Sequence, residues 1–224
     1  MKSHRSAVTK HARSHGHHGT RHGRGHDRFR PKDFEAFVRR MLDPGRDRWQ
    51  QPARVLRALR VRPNAVVADI GAGPGYFTLR FAQAVGPRGR VYAVDPEPRS
   101  LERLRRRLAR RGVRNVTPVL SRGDDPHLPV AACDLVLIVD TYHHFPDGPA
   151  FLRRAAGALK PGGRLVGIDF QKYKTPVGPP VAHRVPREEF LRNARRAGLA
   201  LVAEHRFLPY QYFVVLRHSR PRRP

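Results

Sequence analysis

Cysteine is nearly absent from this chain. Cys133 stands alone, which excludes an internal disulfide framework and a multi-cysteine metal site. It precedes an apolar strand pattern, a poor setting for thiol chemistry. Long apolar runs are missing as well. None reaches the ~18–20 residues of a membrane span, and the N-terminus lacks the apolar stretch of a secretory signal. These absences predict a cytoplasmic protein with no membrane span. Acids are scarce too: 18 Asp+Glu stand against 45 Lys+Arg, giving a formal net charge of +27 over 224 residues. A basic surface attracts phosphate. Yet 39 of the basic residues are Arg and 6 are Lys, alongside abundant Ala, Gly and Pro. A GC-rich genome supplies that bias without selection for a partner, so a nucleic-acid partner is the less favoured reading.

Three regions follow from the patterning. Residues 1–30 hold seven histidines, four glycines and eight Lys/Arg against Asp27 alone. Such a segment buries too little surface to offset its ordering entropy, and it reads as a disordered basic tail. Residues 31–64 form a helical segment. Phe34, Phe37, Val38, Met41 and Leu42 recur at helical spacing, and Val55, Leu56 and Leu59 mark a second short helix.

From residue 65 to 218, strands and helices alternate. Apolar strand patterns cover 65–70, 90–95, 115–120, 133–140, 164–170, 199–205 and 210–216. Helical patterns cover 76–85, 98–111, 148–159 and 187–197, the third stopped by Pro161-Gly162-Gly163. Continuous apolar strands alternating with amphipathic helices predict a mostly parallel sheet covered on both faces. The closing hairpin adds one antiparallel strand.

The chemistry gathers at predicted strand ends. Asp69-Ile70-Gly71-Ala72-Gly73-Pro74-Gly75 closes the first strand and opens a helix, the context in which glycines let backbone approach a ligand. The spacing is G-x-G-x-G, not the G-x-G-x-x-G of a dinucleotide site. An acid two residues before the first glycine would repel a pyrophosphate and suits a cationic amino group. This disfavours a nicotinamide oxidoreductase. Asp95 ends the second strand, where a carboxylate accepts both hydroxyls of a ribose. Asp124 and Asp125 follow the third strand, and one of them is placed to accept from an adenine amino group, with Asp124 slightly favoured. Asp140-Thr141-Tyr142-His143-His144 follows the fourth strand, at the mouth of an open α/β sheet. There His143 or His144 is a candidate proton acceptor. No third ligand accompanies the two histidines, so no metal site is expected. With Asp169, six of the 18 acids fall at strand ends. They describe an acidic mouth on a basic protein, suited to a cationic ligand carrying adenosine.

These motifs resemble the class I S-adenosylmethionine-dependent methyltransferases. VVADIGAGPGYFT is similar to their first motif, VYAVDPEP to the acidic second-strand motif, and LKPGGRLVGIDF to the turn and fifth strand. The YHHF stretch resembles the small-molecule members, similar to the ubiquinone/menaquinone C-methyltransferase group. The resemblance implies a Rossmann-like seven-stranded sheet whose last-but-one position is the antiparallel strand. It implies S-adenosylmethionine as cofactor, held by Asp69, Gly71, Gly73, Gly75, Asp95, the Asp124/Asp125 pair and the backbone around Asp140. Pro74 departs from the small polar residue many members carry. The Asn-Pro-Pro-Tyr motif of amino-methylating enzymes is absent, which counts against nucleic-acid bases as acceptors.

The expected activity is methyl transfer to a small-molecule acceptor. The alternatives are a methyltransferase for RNA or protein and a non-catalytic binding module. Residues 34–52, with Phe37, Trp49 and Gln50, are expected to fold over the mouth. Residues 178–184 and Tyr210-Gln211-Tyr212 are further candidate walls. The identity of the acceptor and the oligomeric state are left open by the sequence.

Overall fold

A computed structural model describes residues 32–219. The His-rich tail of residues 1–30 lies outside the described residues. Three short helices lead in: α1 (Phe34–Met41), α2 (Arg46–Gln50) and α3 (Pro52–Leu59). Asp33 caps α1 by accepting from the Ala36 amide at 2.8 Å, and Pro52 opens α3, where its missing N–H costs nothing.

The remainder alternates: β1 (Val66–Ile70), α4 (Thr78–Val85), β2 (Arg90–Asp95), α5 (Pro98–Arg110), β3 (Val116–Leu120), β4 (Cys133–Val139), α6 (Gly148–Gly157), β5 (Leu159–Phe170), α7 (Arg187–Arg196), β6 (Leu199–His205) and β7 (Gln211–His218). The seven strands form one sheet in the order β3-β2-β1-β4-β5-β7-β6. Only β7 runs against its neighbours, pairing antiparallel with both β5 and β6. The expected Rossmann-like sheet, with its antiparallel strand last but one, is therefore the observed one.

Parallel strands buried on both faces need apolar side chains in both directions, and β4 (CDLVLIV) is buried at every position except Asp134. Val136 and Ile138 face the layer with Phe151, Leu152 and Phe190. Leu135 and Leu137 face Phe77, Phe81 and Val85. On α5, Leu101, Leu104 and Leu108 are buried at helical spacing while Arg occupies the other faces.

Two boundaries differ from the sequence reading. Pro161-Gly162-Gly163 lies within β5, not in a separating loop. Leu159 already pairs with Cys133, and the register then jumps to Leu135–Arg164, so the turn is carried as a bulge inside the strand. Helix α4 begins at Thr78, two residues later than its apolar pattern suggests. Residues Ala72–Phe77 are spent on the glycine turn before it.

The β1–β4 junction matters most for function. The chain leaves β1 toward β2 on one side, while β4 continues the sheet on the other. Such a switch point opens a crevice beyond the strand carboxyl ends.

The α5 seam is expected to be as costly to damage as any core site. Leu104 is fully buried and reaches the glycine turn. Leu104→Ala should lower stability by about 2–5 kcal/mol in denaturant unfolding. A loss below about 1 kcal/mol would show that α5 is not packed as described.

Candidate active site at the carboxyl ends of β1, β2 and β4

The crevice is a cavity of about 130 Å³. Its floor is the turn after β1. Gly71 has φ +77°, and a side chain there would lie 2.0 Å from Thr141 Oγ1. Only glycine lets the turn pass under the end of β4. Gly73 differs: φ is +53°, and a Cβ built on it meets nothing within 4 Å. That bare backbone lines the cavity, where a ligand can lie against it. Gly75 falls outside the cavity and packs on Leu104. The Pro74 carbonyl accepts from Arg107.

Two buried carboxyls, Asp69 and Asp95, and the half-buried Asp140 surround this floor. Asp69 Oδ2 accepts from the Thr78 hydroxyl at 2.6 Å, so the first residue of α4 fixes the last turn of β1. Asp95 accepts from the Gly73 amide at 2.7 Å through Oδ2 and from the Glu97 amide at 2.9 Å through Oδ1. These bonds aim it across the glycine turn. Asp140 sits past the end of β4 with φ +51°, a left-handed conformation that asparagine and aspartate tolerate better than most residues. Gln211 donates to its Oδ1 at 2.5 Å. Burial pushes Asp69 and Asp95 up to about 6 and Asp140 up to about 7. Desolvation disfavours their ionised forms, so each is short of positive charge.

Asp124 also lines the cavity. Asp125 does not: it closes an exposed turn, accepting from the His127 amide at 2.7 Å while its backbone pairs with Arg122. The two histidines separate as well: His143 is not among the residues that line the cavity. His144 lines the cavity, and burial together with its neighbour His143 lowers it to about 4. It is a neutral ring at physiological pH. His143 lies beside it, ring centroids 4.1 Å apart, and its Nδ1 meets Asp169 Oδ2 at 3.1 Å. Burial alone would lower His143, but the buried Asp169 carboxylate raises it above the ordinary imidazole value. An oriented imidazole on a buried acid is equipped to hold a proton.

The roof comes from the N-terminal helices. Phe37, Met41 and Arg46 line the cavity. Trp49 packs on Phe170 with centroids 5.4 Å apart, and the buried Gln50 donates to Gln211 at 2.7 Å. Gln211, from the third candidate wall, thus joins the roof to Asp140. Residues 178–184 form no part of the cavity lining. Their Arg184 turns inward to bond the carbonyls of Gln171, Tyr173 and Pro179.

Arg46 is the site residue the sequence reading missed. It and Gln50 share one helix face at i and i+4, both buried. That pairing is the available signal, and it is easily lost among 39 arginines.

Residues 67–163 match the family model described as "Methyltransferase domain". Residues 67–163 thus carry a methyltransferase domain. Over 114 residues it is 32% identical to a protein-L-isoaspartate O-methyltransferase from Ignicoccus hospitalis, covering 51% of each chain. It is 36% identical over 118 residues to the ubiquinone/menaquinone biosynthesis C-methyltransferase UbiE of Ectopseudomonas mendocina, covering 52% of this chain and 46% of that protein. The chain thus spans about half the length of these curated relatives. Its fold matches the crystal structure of an S-adenosylmethionine-dependent methyltransferase from Aquifex aeolicus with a TM-score of 0.78. That match has 24% identity and covers 83% of this chain and 98% of the other.

The methyltransferase cofactor is cationic and carries an adenosine, and the cavity fits it on structural grounds. Its carboxyls are desolvated and short of positive charge, and Gly73 leaves open backbone beside Asp95.

The raised Asp140 carboxyl has a measurable consequence. The folded state keeps this proton where the unfolded chain has released it, so Asp140 costs stability increasingly as pH rises from ~4 to ~7. Asp140→Asn should therefore gain stability relative to the parent across that range, followed by thermal unfolding at several pH values. A difference independent of pH would mean that Asp140 is not held protonated.

Proposed function

We propose that this chain transfers the methyl group of S-adenosylmethionine to a small-molecule acceptor. The carrying observation is the set of desolvated carboxyls around the cavity-lining Gly73 backbone at the β1–β4 switch point. Asp95 would take the ribose hydroxyls, Asp124 the adenine amino group, and Asp69 and Asp140 the cationic end. Gly71, Gly73 and Gly75 shape the turn that admits it. The bound cofactor supplies an electrophilic methyl group. What is left to the protein is alignment, exclusion of water and custody of a proton.

The roof supports a small acceptor. Helices α1 and α2 cover the mouth, with Phe37, Met41 and Arg46 in the lining, and a bulky polymer has no approach while they stay down. We assign residues 31–64 as a lid, 65–218 as the methyltransferase domain and 1–30 as an appended basic tail. No helix among the described residues is long and apolar enough to cross a membrane, and we place the protein in the cytoplasm. Cys133 is fully buried, and burial pushes its thiol up to about 11, so thiol chemistry has no part in the reaction.

We assign the proton acceptor to His143, held by Asp169 beside the cavity-lining His144. The Asp169 bond to Nδ1 leaves Nε2 as the nitrogen that receives a proton from an acceptor hydroxyl or acidic carbon as the methyl group arrives. His144, neutral and in the cavity wall, positions the acceptor.

Calorimetric titration with S-adenosylmethionine and its demethylated product tests the reading. The intact protein should bind both, and Asp95→Ala should weaken both by roughly tenfold or more. Absence of binding at high micromolar ligand would overturn the proposal. For the dyad, transfer of labelled methyl to fractionated extract identifies an acceptor. With that acceptor, His143→Ala should lower kcat by about 10²–10⁴-fold and leave the cofactor Kd unchanged. An unaltered kcat would remove His143 from the chemistry.

A further inference from the structure

Charge is sorted between the two edges of the sheet. Asp69, Asp95, Asp140 and Asp169 stand at or just past strand carboxyl ends. The opposite, amino edge carries arginine. Arg60 and Arg62 precede β1, Arg90 opens β2, and Arg114 precedes β3. Arg164 enters the β4 pairing beside Leu135, and Arg217 reaches the same edge on the antiparallel β7, paired with Ala200. Among the described residues the one carboxylate at this edge is Asp134, and Lys160 donates to it at 2.8 Å.

Total charge alone does not point to a partner, but this placement does. Compositional bias adds arginines without regard to their neighbours, and it does not clear acids from one edge. Helix carboxyl ends favour cations within their last turn, which accounts for Arg110. Arg62, Arg90, Arg164 and Arg217 lie in a loop and in strands, where that reason fails.

The arginines are also crowded and unanswered. Arg164 is half-buried, and its Nη2 donates to the Leu59 carbonyl at 2.6 Å. Burial lowers it, and Arg217, Arg62 and Arg60 lower it further, with no carboxylate opposing them. Earlier on α5 the arginines have partners: Arg103 meets Glu35, and Arg106 meets Glu102. Toward the amino edge a groove of about 620 Å³ opens between α4 and α5, lined by Arg111, Arg114, Gln83 and Asn115 and by no acid.

The row crosses the sheet from β3 to β7, which is five strand spacings in the order observed, or roughly 24 Å. A nucleic-acid strand presents a phosphate every ~3.4 Å along a duplex, so several phosphates face a row of that length. The guanidinium fork matches phosphate oxygens. No aromatic side chain lies in the segments that form this edge, so bases have no stacking platform. Val130 is its one large exposed apolar residue, short of the Trp, Phe and Leu face that enters lipid. We propose that the amino edge of the sheet, centred on Arg60, Arg62, Arg164 and Arg217 and continued by Arg114, docks on the phosphate backbone of duplex nucleic acid without reading its sequence. The catalytic mouth lies at the other end of the strands, roughly 17 Å away over the five residues of β1. A docked duplex is therefore an anchor and not the methyl acceptor.

The test uses the full-length protein and a labelled mixed-sequence DNA duplex of about 20 base pairs, with fluorescence anisotropy from ~50 to ~200 mM salt. The parent should bind at low salt, with log affinity falling linearly against log salt. Arg60→Ala/Arg62→Ala/Arg217→Ala should bind roughly tenfold or more weakly at ~100 mM salt, with a slope shallower by about 2–3. Arg105→Ala/Arg106→Ala/Arg206→Ala removes equal charge from exposed arginines off this edge. It should cost less than about threefold and change the slope by less than about 1. A second duplex sequence should bind within about threefold of the first. Thermal unfolding confirms that each variant is folded. If the edge variant does not fold, Arg62→Ala in its exposed loop decides, through a slope shallower by about 1. Absence of duplex binding at ~50 mM salt, equal losses in the two triple variants, or an unchanged slope in the edge variant overturns the proposal. So does tighter binding of the parent to vesicles of anionic phospholipid than to duplex, when the edge variant abolishes it.

Discussion

Removing carboxylates from water at one edge of the sheet is the constraint around which the remaining structure is organised. Asp69 and Asp95 are buried and Asp140 is half-buried, and loss of water raises all three. An ionised carboxyl in such surroundings is unfavourable unless donors or cations reach it. Local structure supplies the donors. The first residue of α4 gives a hydroxyl to Asp69, and the glycine turn and the start of α5 give amides to Asp95. The turn after β1 is thereby anchored to the end of β2. Charge compensation remains partial, and this leaves the site receptive to a cation.

The N-terminal helices answer the same constraint from above. Arg46, Gln50, Gln211 and Asp140 form one buried chain of hydrogen bonds from α2 through β7 to the end of β4. A buried polar chain of this kind adds little net stability compared with apolar packing, but it fixes which surfaces meet. Asp47 extends the clamp outward, accepting from the Tyr76 hydroxyl and from Arg80 at 3.0 Å. The roof is thus held by polar contacts to the residues that would meet a ligand. A ligand that competes for those contacts changes how the roof is held, which couples occupancy of the site to its closure.

The sheet was legible because burial on both faces leaves continuous apolar strands, as in β1, β2 and β4, and because scarce acids stood out at their ends. Edges and turns were less so. The Lys160–Gly163 segment reads as a loop by its Pro and Gly, yet Leu159 pairs with Cys133 before it and Arg164 with Leu135 after it. Tertiary pairing overrode the local signal. Asp124 and Asp125 are adjacent in sequence and alike in chemistry, and only the turn closed by Arg122 and Asp125 sends one to the cavity and the other to solvent. His143 and His144 are a similar pair. Their separation into a carboxylate-bound ring and a neutral wall ring depends on Asp169, 26 residues away from His143.

Arg46 shows why composition hides function here. In an Arg-rich chain an arginine carries almost no information by itself. The useful contrast is between environments. On α5, Arg105 and Arg106 are exposed and answered by the exposed Glu102, an arrangement worth little. Arg107 reaches inward to the Pro74 carbonyl, and burial with crowding by Arg111, Arg80 and Arg110 lowers it to about 10. Arg184 is buried but satisfied by backbone carbonyls, which makes it a brace for its own loop. Arg46 is the one among these whose guanidinium faces both a loosely held carboxylate and the ligand cavity. The same side chain thus serves as solvated surface, structural brace or cavity lining according to what desolvates it and how completely its charge is answered.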